Sequence, residues 1–339
     1  MIQRHSPVAH AAYHDLLSSL ASERAAEIRG TPFREVRGNR AYWYDLWRIG
    51  SSVRKRYIGE DTPQLAADIA RHRDLQAEAK ARAAHRARLV RILRAEGFLP
   101  TDAGTGSLYA AMAKAGVFRL GGTIVGTHAF RLYEGELGLR LAFDQTAQTG
   151  DLDIAQFERL SLALEDRVDT PLADTFRQFD FEPVPSVQGH AVWRWKQTRS
   201  DTLVEFLTPS FRPDEDIRDL PALGVSAQSL HFLNYLIAEP IRAAVLYRSG
   251  VLVQVPRPER FAIHKLIVAD RRQGGPNALK SVKDRAQAAF LIAALAEDRP
   301  DDLALALEDA RARGPNWGRR IDASLARMPD TAALLHTLS

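Results

Sequence analysis

The sequence predicts a mixed-sheet α/β (α+β) core with a helical C-terminal domain and an N-terminal helix and β-hairpin extension. Three observations predict it. Short β-branched runs, among them Leu152-Asp153-Ile154, Val192 to Lys196, Thr202 to Leu207 and Val251 to Val255, alternate with helical patterns after residue 105. Beyond Pro256 the apolar period becomes that of helices. Ahead of residue 60, aromatic and β-branched residues cluster around Gly50-Ser51. These divide the chain into residues 1–100, 105–255 and 256–339.

Taken in order, His10 to Ile28 has helical spacing, with Leu16, Leu17, Leu20 and Ala21 on one stripe, and Gly30-Thr31-Pro32 stops it. Phe33 to Ile58 reads as a small antiparallel sheet. Thr62 to Glu96 reads as one long helix rich in Ala, Arg and Leu, closed by Gly97. Thr101 to Gly106 is a polar linker. Leu108 to Ala115 is a short helix, Val117 to Val125 is strand-like, and His128 to Leu137 is helical. Val245-Leu246 and Val251 to Val255 flank a turn at Ser249-Gly250. Helices follow over Glu259 to Arg272, Lys280 to Ala296 and Pro300 to Arg313.

Composition bounds the chemistry. The chain has 339 residues, a net charge of +4 and no cysteine, so disulfides and thiolate metal sites are excluded. No apolar run approaches the roughly 20 residues that span a bilayer, and Met1 to Pro7 is polar with no apolar leader after it. A cytoplasmic protein with no membrane partner is expected. No Gly-x-x-x-x-Gly-Lys-Ser/Thr loop is present, and Gly121-Gly122 lacks the dinucleotide-binding spacing. His128, His190, His231 and His264 show no metal-ligand spacing; His128 and His264 read as structural or supporting groups.

Basic residues cluster unevenly. Arg71 to Arg94 includes Arg73, Lys80, Arg82, Arg86, Arg88 and Arg91, against only Asp74 and Glu78. Such a surface attracts nucleic-acid phosphates, although a solvated helix face has the same composition. In the 33–58 hairpin, Tyr42, Tyr44 and Trp47 interleave with Arg40, Arg48, Arg54, Lys55 and Arg56, a pattern suited to stacking bases and equally to packing a hairpin.

The chemistry concentrates in Thr149-Gly150-Asp151-Leu152-Asp153-Ile154. On a strand, Asp151 and Asp153 project together while Leu152 and Ile154 face a core. Two adjacent carboxylates need a compensating cation, and their oxygens suit Mg²⁺ together with substrate phosphates. Upstream, Gly126-Thr127 joins an apolar strand to a helix, a turn that brings backbone N–H groups and a hydroxyl to a phosphate. A third carboxylate, Glu205, interrupts the apolar strand Leu203 to Leu207.

Val125-Gly126-Thr127, Asp151-Leu152-Asp153 and Glu205 together resemble the polymerase-β-type nucleotidyltransferase superfamily. Thr127 stands where Ser or Gly is usual, and Glu205 where Asp is commoner. Ala262-Ile263-His264-Lys265-Leu266, Arg271-Arg272 and Lys280 to Gln287 extend the likeness to a bacterial nucleotidyltransferase family similar to the abortive-infection-type nucleotidyltransferase toxins. The likeness covers residues 107 to 295.

The resemblance implies an enzyme that moves a nucleoside monophosphate from an NTP to an acceptor hydroxyl. Asp151, Asp153 and Glu205 would hold Mg²⁺, with Mn²⁺ as an alternative. Gly126, Thr127, Lys265, Arg272, Lys280 and Lys283 would bind the nucleotide. Asp284 would orient Lys283 or accept a proton from the attacking hydroxyl. Helical spacing is consistent with this: Lys265 and Arg272 are two turns apart, and Lys280, Lys283, Asp284 and Gln287 form one stripe, as a solvent face also would. The basic segment and the hairpin favour RNA or tRNA as acceptor. A protein hydroxyl is the alternative, and a non-catalytic nucleic-acid-binding protein on a degenerate transferase scaffold is another. A phosphate-independent interaction module would show no metal dependence.

Overall fold

The structure is a computed structural model that describes residues 2–28, 30–49, 52–141, 150–164, 166–186, 191–212, 214–272 and 278–338. Gly50, Ser51, Thr149 and His190 lie outside the described residues, as does the side chain of Arg48.

The N-terminal region begins with α1 (Pro7–Ala26), whose start is fixed by Pro7 and by the Ser6 hydroxyl, which accepts from the Ala9 amide. Three antiparallel strands follow, β1 (Thr31–Arg37), β2 (Arg40–Ile49) and β3 (Ser52–Glu60). The expected single helix is instead α2 (Pro63–Ala70), α3 (His72–Ala77) and α4 (Ala79–Ala95). The chain bends at Arg71 and Glu78, and all three helices pack on α1. Buried Asp68 accepts from the Ser22 hydroxyl, and Gln76 donates to the Ile28 carbonyl. The bends let Leu65, Ile69 and Leu75 join Ala25 and Ile28 at the end of α1 while Leu89 joins Tyr13, Leu16 and Leu20 further up the helix.

That packing corrects the picture of a basic outer face. Arg86 is only 5% exposed and donates to Glu23 at 2.8 Å, and Arg82 turns toward the same carboxylate. Arg94 donates to the Leu246 carbonyl. Arg73, Lys80, Arg88 and Arg91 remain exposed. In the hairpin, Tyr44 is buried beneath the Lys55 ammonium, while Tyr42 and Trp47 are half-buried.

The central region runs α5 (Ala103–Ala115), β4 (Thr123–Val125), α6 (Gly126–Leu137), β5 (Asp151–Ala155), α7 (Glu158–Ala163), α8 (Leu172–Arg177), β6 (Phe181–Pro183), β7 (Arg194–Gln197), β8 (Leu203–Pro209), β9 (Ile217–Leu220), β10 (Val225–Leu230), α9 (Leu233–Leu236), β11 (Ile241–Val245) and β12 (Val251–Val255). The presumed linker is the start of α5, where Asp102 caps the Thr105 amide. Only the last three residues of the stretch read as strand-like, Val117 to Val125, pair in the sheet. Gly116 and Gly121, both in the left-handed region, turn the chain there and bury Val117, Phe118 and Leu120 as core.

The main sheet is mixed, in the order β4-β5-β8-β10-β9, with β7 and β6 joining along the first half of β8. β5, β8 and β10 are parallel neighbours; β4 and β9 run antiparallel at the edges. β11 and β12 form the separate hairpin expected around Gly250. Helices α10 (Pro258–Arg271), α11 (Ala278–Asp298), α12 (Pro300–Ala312), α13 (Pro315–Leu325) and α14 (Pro329–His336) complete the chain. Phe130 and Tyr133 of α6 pack their rings on Phe261 of α10, which seats the helical region against the sheet. On the other side, the Tyr13 hydroxyl of α1 accepts from the Ala244 amide of β11. Among the described residues no helix is long and apolar enough to cross a membrane.

Candidate active site

One wall of the site is carboxylate. Asp151 and Asp153 lie on the same face of β5, while Leu152 and Ile154 are buried on the other. In the parallel β5–β8 ladder Glu205 is directly opposite Asp153, so adjacent strands bring the two carboxylates side by side. Glu205 is thus on an interior strand, flanked on its far side by Arg194 of β7, whose Nη1 is 3.9 Å from Oε1. Lys280 Nζ lies 4.0 Å from Asp151 Oδ2. Arg194 went unnamed in the sequence reading; its place across the β7–β8 pair is the signal that finds it.

Burial, then the charges of Glu205 and Asp151, push the Asp153 carboxyl up to about 7. Burial and Asp151 raise Glu205 as well. Among the described residues no three His, Asp or Glu side chains converge as a ready metal cage. Even so, these are hard oxygen donors that repel one another, and Mg²⁺ commonly takes one or two carboxylates and fills its shell with water and phosphate oxygens. The residues present fit such an ion.

The floor is the turn from β4 into α6. Val125 pairs opposite Asp153, and Gly126 follows with φ +67. A Cβ on Gly126 would meet Asp153 Oδ2 at 2.6 Å, so only glycine lets the backbone come this close to the carboxylate. We expect Gly126→Ala to cost about 1–2 kcal/mol from the left-handed backbone alone and to weaken nucleotide binding more than it lowers Tm. Paired calorimetry and denaturation would check this; an unchanged nucleotide affinity would remove the turn from the site. Behind the turn, His128 Nδ1 is hydrogen-bonded to the Tyr109 hydroxyl at 2.9 Å.

The opposite wall is cationic. Lys265 Nζ donates to Asp284 Oδ1 at 2.5 Å, and Arg272 Nη1 donates to Oδ2 at 2.8 Å. α10 and α11 pack so closely that the Asp284 carboxylate, 2% exposed, sits between the two cations of α10, and its charge also acts on Lys283 of its own helix. Gln287, one turn further on, is fully buried, so half of the polar stripe faces inward. Burial, then neighbouring Lys265, lowers the Lys283 ammonium. His264 is driven down to about 3 by burial and Lys265 and is neutral here.

Gly126, Thr127, Asp151, Asp153, Lys265, Arg272, Lys280, Lys283 and Asp284 all line one cleft of about 140 Å³. Its apolar base, Leu207, Leu230 and Phe261, was not singled out from the sequence, where such residues are ordinary core. The volume suits a phosphate chain rather than a whole ligand of the usual 300–1,000 Å³.

A family model described as a nucleotidyltransferase matches residues 103–312, more than half of the chain. A model for a domain of unknown function matches residues 11–67. No curated protein and no solved structure matches the chain.

Proposed function

We propose, from the premise that this chain belongs to the nucleotidyltransferase family matched over residues 103–312, that it moves a nucleoside monophosphate from an NTP to a hydroxyl of RNA, tRNA included, with release of pyrophosphate. The observation that carries this reading is the cleft with Asp151 and Asp153 on one wall and Lys265, Arg272, Lys280 and Lys283 on the other. A triphosphate between them would have its charge met from both sides.

In this reading the amides of Gly126 and Thr127 and the Thr127 hydroxyl hold phosphate oxygens at the start of α6. Lys265 and Arg272, fixed by Asp284, together with Lys280 and Lys283 neutralise the β- and γ-phosphates. The acceptor hydroxyl oxygen bonds to the α-phosphorus as its proton passes to solvent, the bond from the α-phosphorus to the α–β bridging oxygen breaks, and pyrophosphate leaves. Rate comes chiefly from positioning and charge neutralisation. Asp151, Asp153 and Glu205 would hold Mg²⁺, or Mn²⁺, which when bound polarises phosphoryl oxygens and acidifies the acceptor hydroxyl.

RNA is the acceptor favoured by Arg73, Lys80, Arg88 and Arg91, which stay exposed after the inward arginines are paired. The test supplies each α-labelled NTP, Mg²⁺ and total RNA. Labelled RNA and free pyrophosphate are expected. In Arg88→Glu/Arg91→Glu, RNA binding should weaken and its log–log salt slope flatten by about 0.7–0.9 per lost phosphate contact. Label on protein instead would replace the RNA acceptor with a protein hydroxyl. No label and no pyrophosphate with any NTP would end the transfer reading.

A further inference from the structure

A second, larger cavity of about 680 Å³ lies between the N-terminal sheet and the catalytic core. Its volume is in the range of small-molecule sites. Arg119, Arg159 and Arg242 line it, with the half-buried rings of Tyr42 and Tyr57. The two rings are tilted against each other at 6.2 Å, with Tyr42 at the cavity wall.

The charges there do not balance. Of the carboxylates lining the cavity, Glu60 is 3.8 Å from Arg40 and Glu239 is 3.4 Å from Arg260. Arg119 is committed to Asp166 and the Tyr57 carbonyl. Arg242 and Arg159 have no carboxylate within ion-pair distance among the described residues, and Arg159 lies over the Phe211 ring at 5.6 Å. Burial lowers the Arg242 pKa, the mark of a desolvated charge without full compensation. Arg242 is half-buried; a partly desolvated guanidinium gains from an anion that meets it, and arginine favours phosphate because its fork of donors matches the oxygens.

We propose that this cavity is a second ligand site, distinct from the catalytic cleft, that takes a nucleoside 5′-phosphate: the phosphate on Arg242 and Arg159, the base against Tyr42. The nucleotide could be free or be one unit of an RNA strand; the chemistry recognised is the same. Thr123 of β4 lines this cavity and Val125, two residues on, lines the cleft; Ile237 and Leu236 divide in the same way at the end of α9. A ligand here therefore touches β4, which leads into the floor of the cleft, and the end of α9, which lines it.

The test is calorimetric titration of the full chain in EDTA with AMP, GMP, CMP and UMP, and with a short single-stranded RNA. A Lys280→Ala/Lys283→Ala background weakens the cleft. At least one mononucleotide is expected to bind, with affinity falling tenfold or more in Arg242→Gln and in Arg159→Gln. Binding of the mononucleotide points to a free ligand, and binding of the RNA alone to a strand. Arg159 sits exposed at the rim, so its variant stays informative if Arg242→Gln disturbs the fold. Affinities within twofold of the background in both variants, or no binding of any nucleotide or RNA, would overturn the proposal. Neither outcome touches transfer at the cleft, which is assayed separately with NTP and Mg²⁺.

Discussion

Asp153→Asn is expected to reduce nucleotidyl transfer on the order of 10³-fold or more, the scale of removing one aimed charge from a phosphoryl or acyl transfer site. The same variant should be at least as stable as the parent. Unfolded aspartate titrates near 3.9, whereas folded Asp153 keeps its proton up to about 7. Between these values the native state binds more protons than the unfolded state, so the parent loses stability as pH rises through the window. Asparagine has no such proton. The variant's advantage should therefore be absent below about pH 4, grow from there to about pH 7, and level off above. Water reaches the site, so the plateau is about 2 kcal/mol rather than the full product of the shift and about 1.4 kcal/mol for each pKa unit. Scanning calorimetry in EDTA across this range reads it. A variant that unfolds at every pH would make Asp153 a structural carboxylate.

Asp284→Ala is expected to do the reverse, losing stability and activity together. The carboxylate is buried between Lys265 and Arg272. Removing it leaves two cations facing each other, and breaking a buried pair this way costs about 3–5 kcal/mol. Lys265→Met/Asp284→Asn separates the two losses. It removes the stranded ammonium, so most of the stability should return, while transfer stays low because a phosphate-binding cation is gone. Urea denaturation and an NTP turnover assay on the three proteins decide it. A single variant that loses less than about 1 kcal/mol, or a double variant with parental turnover, would show that the triad does not organise the cationic wall.

What the sequence made legible was local. The strand alternation at Asp151 to Ile154 and the Gly126-Thr127 turn depend on neighbours in the chain, and both stand where their spacing put them. Helices α10, α11 and α12 were legible through their period for the same reason, whereas α13 and α14 were not marked out. The partner of Asp284 was not: the spacing along α11 offered Lys283, and only the packing of α10 on α11 brings Lys265 and Arg272 to it. Arg82 and Arg86 misled for a similar reason. An arginine-rich helix has one composition whether its cations meet water or Glu23 of α1. The stretch from Val117 shows a third limit, since apolar residues destined for a buried turn look like those of a strand until the left-handed glycines are placed. Strands β9 and β10 had no distinct pattern, and their pairing beside β8 supplies the regularity that Ile217 to Leu230 lacks.

The parallel β5–β8 ladder also governs when the enzyme can exist. Parallel pairing needs a long crossover, and here every element between Ala155 and Leu203 must be accommodated before Glu205 meets Asp153. The cationic wall arrives later still, with α10 and α11. Contacts this distant in the chain close slowly, and a growing polypeptide folds from its N-terminal end. A ribosome-bound chain that has exposed only the carboxylate strands thus has a wall of repelling charge and no cationic wall opposite it. The two walls of the cleft therefore face each other only after α11 has emerged.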